Sequence, residues 1–418
     1  MPHETSLIFT IAVSLAFAFV GGFVAVRLYL PPLVGYLLAG VAVGPFTPGV
    51  VADPHLAGEL AEIGIILLMF GVGMHFSLRE ILAVRSIALP GAIAQIGVAT
   101  ALGIGVARLW GWTLGGGLVL GLALSVASTV VLLRALEAQD MLDSMNGRIA
   151  VGWLIVEDLV MVLALVLLPA FAGPLGGQSP GSAAGAVGNN LLVTLGLTLG
   201  KVAAFVGFML LAGARLFPWL LDQVARTGSR ELFTLAVVAL ALGIAFGSAE
   251  LFGVSFALGA FFAGMVINES DHSHRAAADL QPLQDAFAVL FFVAVGMLFD
   301  PVILIRQPLQ VLSIIAIIVV GKSLAAFLLV RVFRYPVDTA LTVSAGLAQI
   351  GEFSFILAGL GIALGLLPPE GQSLILAGAL LSISLNPLIF RAAAAMQGRW
   401  QACSVSRLVG QREAENPE

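Results

Sequence analysis

The sequence contains thirteen apolar segments separated by short polar loops, and this pattern leaves few folds open. The segments cover about residues 6–26, 31–45, 56–74, 86–109, 113–137, 146–172, 189–213, 231–249, 253–268, 285–300, 308–333, 339–363 and 371–395. A helix needs about 20 apolar residues to cross a bilayer, so we predict an all-α polytopic membrane protein with thirteen spans. With 60% hydrophobic and 10% charged residues, the chain is not a soluble domain. The second, ninth and tenth segments are short, which predicts tilt or extension by polar flanks.

The arginines predict how the chain is oriented in the membrane. If the N-terminus is outside, fifteen arginines fall in inner loops or the C-terminal tail, and only Arg108 and Arg306 fall outside. Positive residues collect on the cytoplasmic side, so we predict an outer N-terminus and a cytoplasmic C-terminus in a bacterial inner membrane. No basic patch with interleaved aromatic residues indicates nucleic acid, and the partner of most of the chain is the lipid bilayer.

Two short motifs recur in the same order. Residues 71–76 (GVGMHF) resemble residues 294–299 (AVGMLF), and residues 35–41 (GYLLAGV) resemble residues 259–265 (GAFFAGM), at offsets of 223 and 224. Each match moves a motif by seven spans, and an odd shift reverses its direction across the membrane. We therefore predict two inverted repeats, an architecture of secondary transporters.

This repeat divides the chain into four predicted parts. The first repeat covers residues 1–172 and the second covers residues 230–396. Residues 173–229 hold the connecting seventh span with its loops, and residues 397–418 form a cytoplasmic tail.

The same offset predicts where helices are interrupted. It aligns residues 127–130 of span 5 with residues 350–353 of span 12, and both are polar islands inside apolar segments. Near the second island, Gln349 and Glu352 can bond freed backbone groups, and Glu352 can compensate the positive end of a half-helix. Ser128 and Thr129 mark the first island, although small residues there are also typical of close helix packing.

Glu157 and Asp158 lie side by side in the sixth apolar segment. A charge at the bilayer centre costs at least about 2.5–3.5 kcal/mol, so a pair there indicates function. The repeat offset aligns Leu380 and Leu381 of the second repeat with these two carboxylates, as expected if only one repeat carries the site. Adjacent helical residues point about 100° apart, so one carboxylate is expected to face the ion path and the other a cation. Among the cations of the chain, Lys322 has the depth within its span that best suits this pairing.

Three stretches together resemble the monovalent cation:proton antiporter family two, in its Kef-type potassium efflux branch. They are residues 127–136 (ASTVVLLRAL), 153–158 (WLIVED) and 348–355 (AQIGEFSF). The resemblance implies a thirteen-helix sodium/proton antiporter fold with crossed broken helices, a homodimer and an elevator-like movement. It also implies that Asp158 is the ion- and proton-binding aspartate and that Lys322 is the core lysine. Glu157 departs from the pattern, so both K⁺ and Na⁺ remain possible cations.

The expected mechanism is competition between a proton and a monovalent cation, K⁺ or Na⁺, for Asp158. Hydroxyls of Thr129 and Ser128 suit such a hard cation, and Glu157 is expected either to bind or to pair with Lys322. Glu352 and Gln349 are predicted to support the site by charge and hydrogen bonding. No cofactor is expected.

A gated potassium efflux pathway is the alternative, and its branch implies a soluble nucleotide-binding regulatory domain. Residues 391–418 show no strand followed by G-x-G-x-x-G, so that domain is not expected within this chain. An intramembrane hydrolase is not expected, because adjacent carboxylates on one helix cannot face each other. The roles of Lys201, His272 and His274 stay open between structural or solvated side chains and functional ones.

Overall fold

The computed structural model describes residues 3–49, 51–75, 78–137, 139–141, 144–178 and 191–415, and these residues form thirteen long helical segments and one short helix, Ile303–Arg306. The first six are α1 (His3–Arg27), α2 (Pro32–Val43), α3 (Pro54–His75), α4 (Leu78–Leu109), α5a (Leu114–Ser125) with α5b (Thr129–Glu137), and α6 (Met145–Phe171). The others are α7 (191–225), α8 (Arg230–Phe252), α9 (Phe256–Asn268), α10 (Ser273–Met297), α11 (308–332), α12a (Val337–Gly346) with α12b (Glu352–Ala363), and α13 (Pro369–Glu415).

The thirteen predicted segments are all present among the described residues. Nine helices are long and apolar enough to cross a membrane, and α2, α5a, α9 and α12b are shorter apolar helices. The short tenth apolar segment is extended by a polar flank, one of the two predicted possibilities: α10 has 25 residues, and its first turns consist largely of polar side chains that the apolar count excluded. Helix α7 likewise extends beyond 213 to 225, and α13 continues through the predicted tail to 415. Residues 179–190 of the predicted connector 173–229 lie outside the described residues.

Helix ends follow local sequence signals. Thr113, Ser144, Ser229 and Ser255 each accept a hydrogen bond from a backbone N–H of the first turn that follows, which satisfies one of the donors that a helix start leaves free. Gly253 ends α8 with φ 66°, a left-handed conformation that favours glycine. Because Gly253 ends α8 and Ser255 caps α9, only three residues, 253–255, connect these two helices.

The helices α1, α2, α3, α8, α9 and α10 form one bundle, and glycines from the repeated motifs bring its backbones together. A Cβ on Gly40 of α2 would lie 2.1 Å from Val293 O of α10, and one on Gly264 of α9 would lie 2.0 Å from Phe70 O of α3. The reciprocal contacts involve Gly296 and Gly73. The α2–α10 and α9–α3 contacts are therefore equivalent under the repeat, which agrees with an inverted arrangement.

The second bundle contains α4, α5, α6, α11, α12 and α13. Trp153 of α6 is fully buried, and its ring lies directly over Gly91 of α4. Helix α11 contains a π-helical turn, Ala316–Lys322, that ends at the buried lysine, and such turns are frequent at functional sites. Most helix contacts fall within one bundle or the other, with fewer between them.

Two helices of this second bundle are broken in mid-span, as predicted. Residues 126–128 separate α5a from α5b, and residues 347–351 separate α12a from α12b. The two breaks touch, since Ser128 and Gln349 bond each other directly. The sequence signal was weaker for the first break, yet in the structure both helices are fully interrupted.

Candidate functional site

The crossing point is built by Gln349 and Ser128. The Ser128 N–H donates to Gln349 Oε1 (2.9 Å), and Gln349 Nε2 donates to Ser128 O (3.1 Å) and to Gly346 O (3.2 Å). Gly351 allows this approach, because a Cβ there would lie 2.6 Å from Ser128 Cα. One side chain thus bonds backbone groups of both broken helices, which a low-dielectric interior requires.

Asp158 lies beside the start of α5b and is 6% exposed. Its Oδ2 accepts a hydrogen bond from Thr129 Oγ1 (3.3 Å), whereas its Oδ1 is buried and has no hydrogen-bond partner among the described residues. The carboxylates that act on it electrostatically are Glu352 and Glu157. An acceptor atom buried without a partner is costly, so this oxygen is suited to receive a proton or a cation.

Glu157 is fully buried and faces the break itself. Its Oε2 accepts a hydrogen bond from the Ala127 N–H (2.9 Å), a donor that the interruption frees from the helix, while Oε1 has no hydrogen-bond partner in the described part of the chain. As the sequence predicts, the two adjacent carboxylates reach different groups. Asp158 bonds a hydroxyl and Glu157 bonds the backbone.

Lys322 is also fully buried, and its Nζ donates to Gln349 O (3.0 Å) within the second break. The expected pairing with Glu157 is electrostatic and not a direct contact, since among the described residues no carboxylate lies within 4.0 Å of Nζ. The lysine bonds the carbonyl that the interruption leaves free, and it acts on Glu157 through space as the nearest cation.

Glu352 occupies the first turn of α12b and is 3% exposed. Its Oε2 accepts a hydrogen bond from Ser128 Oγ (3.3 Å). A carboxylate at a helix start opposes the positive end of the macrodipole, which is the position expected from the sequence. Ser128 therefore links both broken helices through its backbone and its hydroxyl, but it does not bond Asp158.

Two buried amides that the sequence analysis did not single out also cap the breaks. Gln95 Nε2 of α4 donates to Ser125 O (3.0 Å), and Asn386 Nδ2 of α13 donates to Ala345 O (3.0 Å). Both residues are 0–1% exposed. An amide inside an otherwise apolar span is the signal that could have found them, since such a side chain needs a polar partner.

The other charged residues considered from the sequence lie apart from the crossing. Lys201 is exposed on α7. His272 precedes α10, where its Nε2 lies 2.8 Å from Asp222 Oδ1 and its ring packs edge-on against Phe233. It is therefore bonded rather than free in a loop, and His274 lies in the first turn of α10.

A cavity of about 380 Å³ lies between the two bundles, and we call it the interbundle cavity. Its walls come from α3 and α10 of the first bundle and from α12b and α13 of the second, and most are apolar. Its polar side chains are Glu62 and Gln372. The start of α3, the end of α10 and the start of α13 place it toward one membrane face.

Among the described residues, no group of three or more His, Cys, Asp or Glu side chains is arranged to hold a metal ion. The carboxylate and hydroxyl of Asp158 and Thr129 are hard oxygen ligands. Such a pair suits an alkali cation better than a transition metal.

Comparisons with known proteins agree with this architecture. Residues 15–395 match the sequence model of the family described as "Sodium/hydrogen exchanger, transmembrane". The chain is 65% identical over 390 residues to the "Putative cation/proton antiporter YbaL" of Escherichia coli, covering 93% of this chain and 69% of that protein. It is 32% identical to "K(+) efflux antiporter 4" of Arabidopsis thaliana, covering 93% of this chain and 64% of that protein.

The fold is that of a solved sodium proton antiporter. The structure of MjNhaP1 from Methanocaldococcus jannaschii superposes with a TM-score of 0.65 at 16% identity, covering 94% of this chain and 98% of that one. At this identity the likeness shows the fold alone.

Proposed function

Because the chain belongs to the sodium/hydrogen exchanger family, we propose that it exchanges a monovalent cation, K⁺ or Na⁺, for protons across a bacterial inner membrane. The name of the Escherichia coli relative supports cation/proton exchange, and that of the Arabidopsis relative favours K⁺. The arginine distribution supports an outer N-terminus and a cytoplasmic C-terminus.

The observation that carries this proposal is the half-satisfied carboxylate of Asp158. One oxygen is held by Thr129, and the other is buried without a partner beside two further carboxylates. An uncompensated charge in such a place is unfavourable, so the site favours states in which a proton or a cation neutralises it. A proton and a cation cannot both occupy the free oxygen, and competition between them gives exchange.

The remaining residues then have distinct roles. Thr129 orients the carboxylate and adds a hydroxyl ligand to the bound cation. Lys322 and Glu157 hold the charge balance at the breaks without touching the cation, and Gln349 with Ser128 fixes the crossing. Glu352 offsets the helix dipole beside the site. The peptide groups freed by the breaks provide further ligands where an unbroken helix would not.

The two bundles suggest how the site reaches each face of the membrane. Glycine contacts bind α2 to α10 and α3 to α9 tightly, whereas contacts between the bundles are fewer. We propose that the bundle carrying Asp158 moves against the other one, which forms the homodimer contact. The domain limits 1–172, 173–229, 230–396 and 397–418 belong to this proposal.

The test is cation-driven proton movement in proteoliposomes that carry a pH dye inside. KCl, NaCl or LiCl is added outside to wild type, Asp158→Asn and the control Asp271→Asn, which alters an exposed aspartate outside the site. We expect Asp158→Asn to abolish the response and Asp271→Asn to retain it. Size-exclusion profiles of the three proteins check that each is folded.

The pH dependence sharpens the test. Because protons compete with the cation for one carboxylate, raising the pH should lower the apparent KM of wild type with little change in maximal rate. Cation flux that persists in Asp158→Asn, or that needs no proton counterflow in wild type, would instead favour a gated efflux pathway.

A further inference from the structure

Two buried polar atoms on one face of α6 have no role in the contacts described so far. Trp153 and Glu157 lie four residues apart on this helix, so they share one face of it, and both are fully buried. Neither Trp153 Nε1 nor Glu157 Oε1 has a hydrogen-bond partner among the described residues. The first atom carries a donor N–H and the second is an acceptor, so the two are complementary but not bonded to each other.

The indole N–H of Trp153 is the less expected of the two. The ring packs over α4, where a Cβ on Gly91 would lie 2.4 Å from it, so the apolar body of the side chain is well accommodated. A buried tryptophan usually places its N–H against an acceptor, because a donor without a partner is costly in a membrane interior. The N–H at this position therefore indicates a further partner.

Lys322 brings more donors from α11. Its ammonium has three N–H groups, and Gln349 O is the one acceptor bonded to it among the described residues. It acts electrostatically on Glu157, although in the described part of the chain no carboxylate oxygen lies within 4.0 Å of Nζ. Ala326, one turn after Lys322, belongs to the same buried cluster as Trp153. Two kinds of donor and one carboxylate oxygen thus meet between α6 and α11.

Water is the small molecule whose hydrogen-bonding groups match this set. One water can accept from the Trp153 N–H and from the Lys322 ammonium while it donates to Glu157 Oε1. These are three hydrogen bonds, the usual number for a buried water. A cation would be repelled by the two donors, and an anion would be repelled by the carboxylate. Water alone both accepts and donates as the three groups require.

We propose that an ordered water binds between Trp153 Nε1, Glu157 Oε1 and Lys322 Nζ and bridges the buried charges. Trp153 is then a positioning residue, because it holds the water that holds Glu157. Glu157 in turn bonds the Ala127 N–H, two residues before Thr129 in the first break. The water site itself is independent of the ion exchanged, whereas its effect on cation affinity rests on the proposed exchange function.

The first experiment is cryo-electron microscopy of wild type and Trp153→Phe in lipid nanodiscs, at a resolution that shows ordered waters. In wild type we expect a density peak about 2.7–3.2 Å from each of the three atoms. Trp153→Phe keeps the aromatic body but removes the donor, so the peak should weaken or disappear. A direct bond from Trp153 Nε1 to Glu157 Oε1, or from Lys322 Nζ to Glu157, with no density between the atoms, would overturn the inference.

Ultraviolet resonance Raman spectroscopy tests the same bond without a map. The difference between the spectra of wild type and Trp153→Phe isolates the indole N–H band of Trp153. The matched control is Trp219→Phe, which removes a tryptophan that is 55% exposed on α7. We expect the Trp153 band at the position of a hydrogen-bonded indole and unchanged in Trp219→Phe. A band at the position of an unbonded N–H would contradict the water site.

Cation affinity then tests the positioning role. In proteoliposomes we expect Trp153→Phe to raise the apparent KM for the cation by about threefold to tenfold, the range for loss of one hydrogen bond. Trp219→Phe should match wild type, and Tm values check that both variants are folded. A wild-type KM in a Trp153→Phe protein that has lost the water would overturn the positioning role. Failure of wild type to exchange would count against the proposed function, while the density and the Raman band would still decide the water site.

Discussion

The two broken helices have similar backbones but are stabilised by different chemistry. At the first break, Glu157 accepts the Ala127 N–H and Gln95 donates to Ser125 O. At the second, Lys322 donates to Gln349 O and Asn386 donates to Ala345 O. At each break, side chains from neighbouring helices bond several of the peptide groups that the interruption frees, as a membrane interior demands.

The charges at the two breaks differ, because the first repeat supplies only carboxylates whereas the second supplies one carboxylate, Glu352, and the buried cation Lys322. The first repeat supplies the carboxylates Glu157 and Asp158, and the offset of 223 aligns them with Leu380 and Leu381 of the second repeat. The buried cation comes from α11 of the second repeat. An inverted repeat can thus keep one backbone scheme while one copy carries the ion site and the other compensates its charge.

Removing the cation from the second break should have the largest effect on stability. Lys322→Ala leaves Gln349 O without a donor and Glu157 without its nearest positive charge, and uncompensated buried charges cost about 3–5 kcal/mol. We expect the largest fall in Tm of the variants considered, measured by intrinsic fluorescence in detergent. The control is Lys201→Ala, which removes an exposed lysine and should leave Tm nearly unchanged. Equal shifts in the two variants would show that Lys322 does not stabilise the breaks.

A substitution that forces the two breaks apart should have the next largest effect on stability. In Gly351→Ala the new methyl would lie 2.6 Å from Ser128 Cα, so the helices must move apart, at a cost of about 1–3 kcal/mol. Exchange should fall sharply, because the Gln349–Ser128 bonds position the start of α5b.

Gly359→Ala is the control for this change on the same half-helix, since its Cβ would meet no atom within 4 Å. Its Tm should equal or exceed that of wild type, because alanine favours a helix over glycine. A Gly351→Ala protein with wild-type Tm and exchange would contradict the close crossing.

Removing the amide caps should have the smallest effect on stability, and one substitution at each break allows the two breaks to be compared directly. Asn386→Leu removes the donor to Ala345 O and should cost about 1 kcal/mol, a typical net value for one hydrogen bond. Gln95→Leu should cost less, because it also removes an Oε1 that is buried without a partner. Tm values measured side by side check the order. A larger loss for Gln95→Leu would mean that its Oε1 is engaged in the membrane.

Much of the fold could be predicted from the sequence because a bilayer imposes simple rules. Apolar length predicted the thirteen long helical segments, and the offset between two glycine motifs predicted which helices correspond under the repeat. The contacts of α2 with α10 and of α3 with α9 came only from the structure. The polar islands gave both breaks. Helix ends were less predictable: α10 begins at Ser273 rather than near 285, since polar residues beyond the membrane continue the helix.

Within the candidate site, the sequence identified the charged residues but not their partners. It predicted that Glu157 pairs with Lys322, and the two do act on each other electrostatically, but each is hydrogen-bonded to a backbone group of a different break. Gln95 and Asn386 escaped notice because an uncharged amide is a weaker signal than a charge.

The sequence by itself determined the membrane class, the repeat and the presence of buried charge. The reason is that a bilayer requires long apolar segments and makes an ionisable side chain inside one of them costly in free energy. Only the tertiary structure decided which polar atom meets which. Hydrogen-bond partners at the crossing come from helices up to 231 residues apart in the chain, as in the bond from Ser354 Oγ to Ala123 O. The free oxygen of Asp158 is likewise a property of packing, since it depends on which donors reach the carboxylate and which do not.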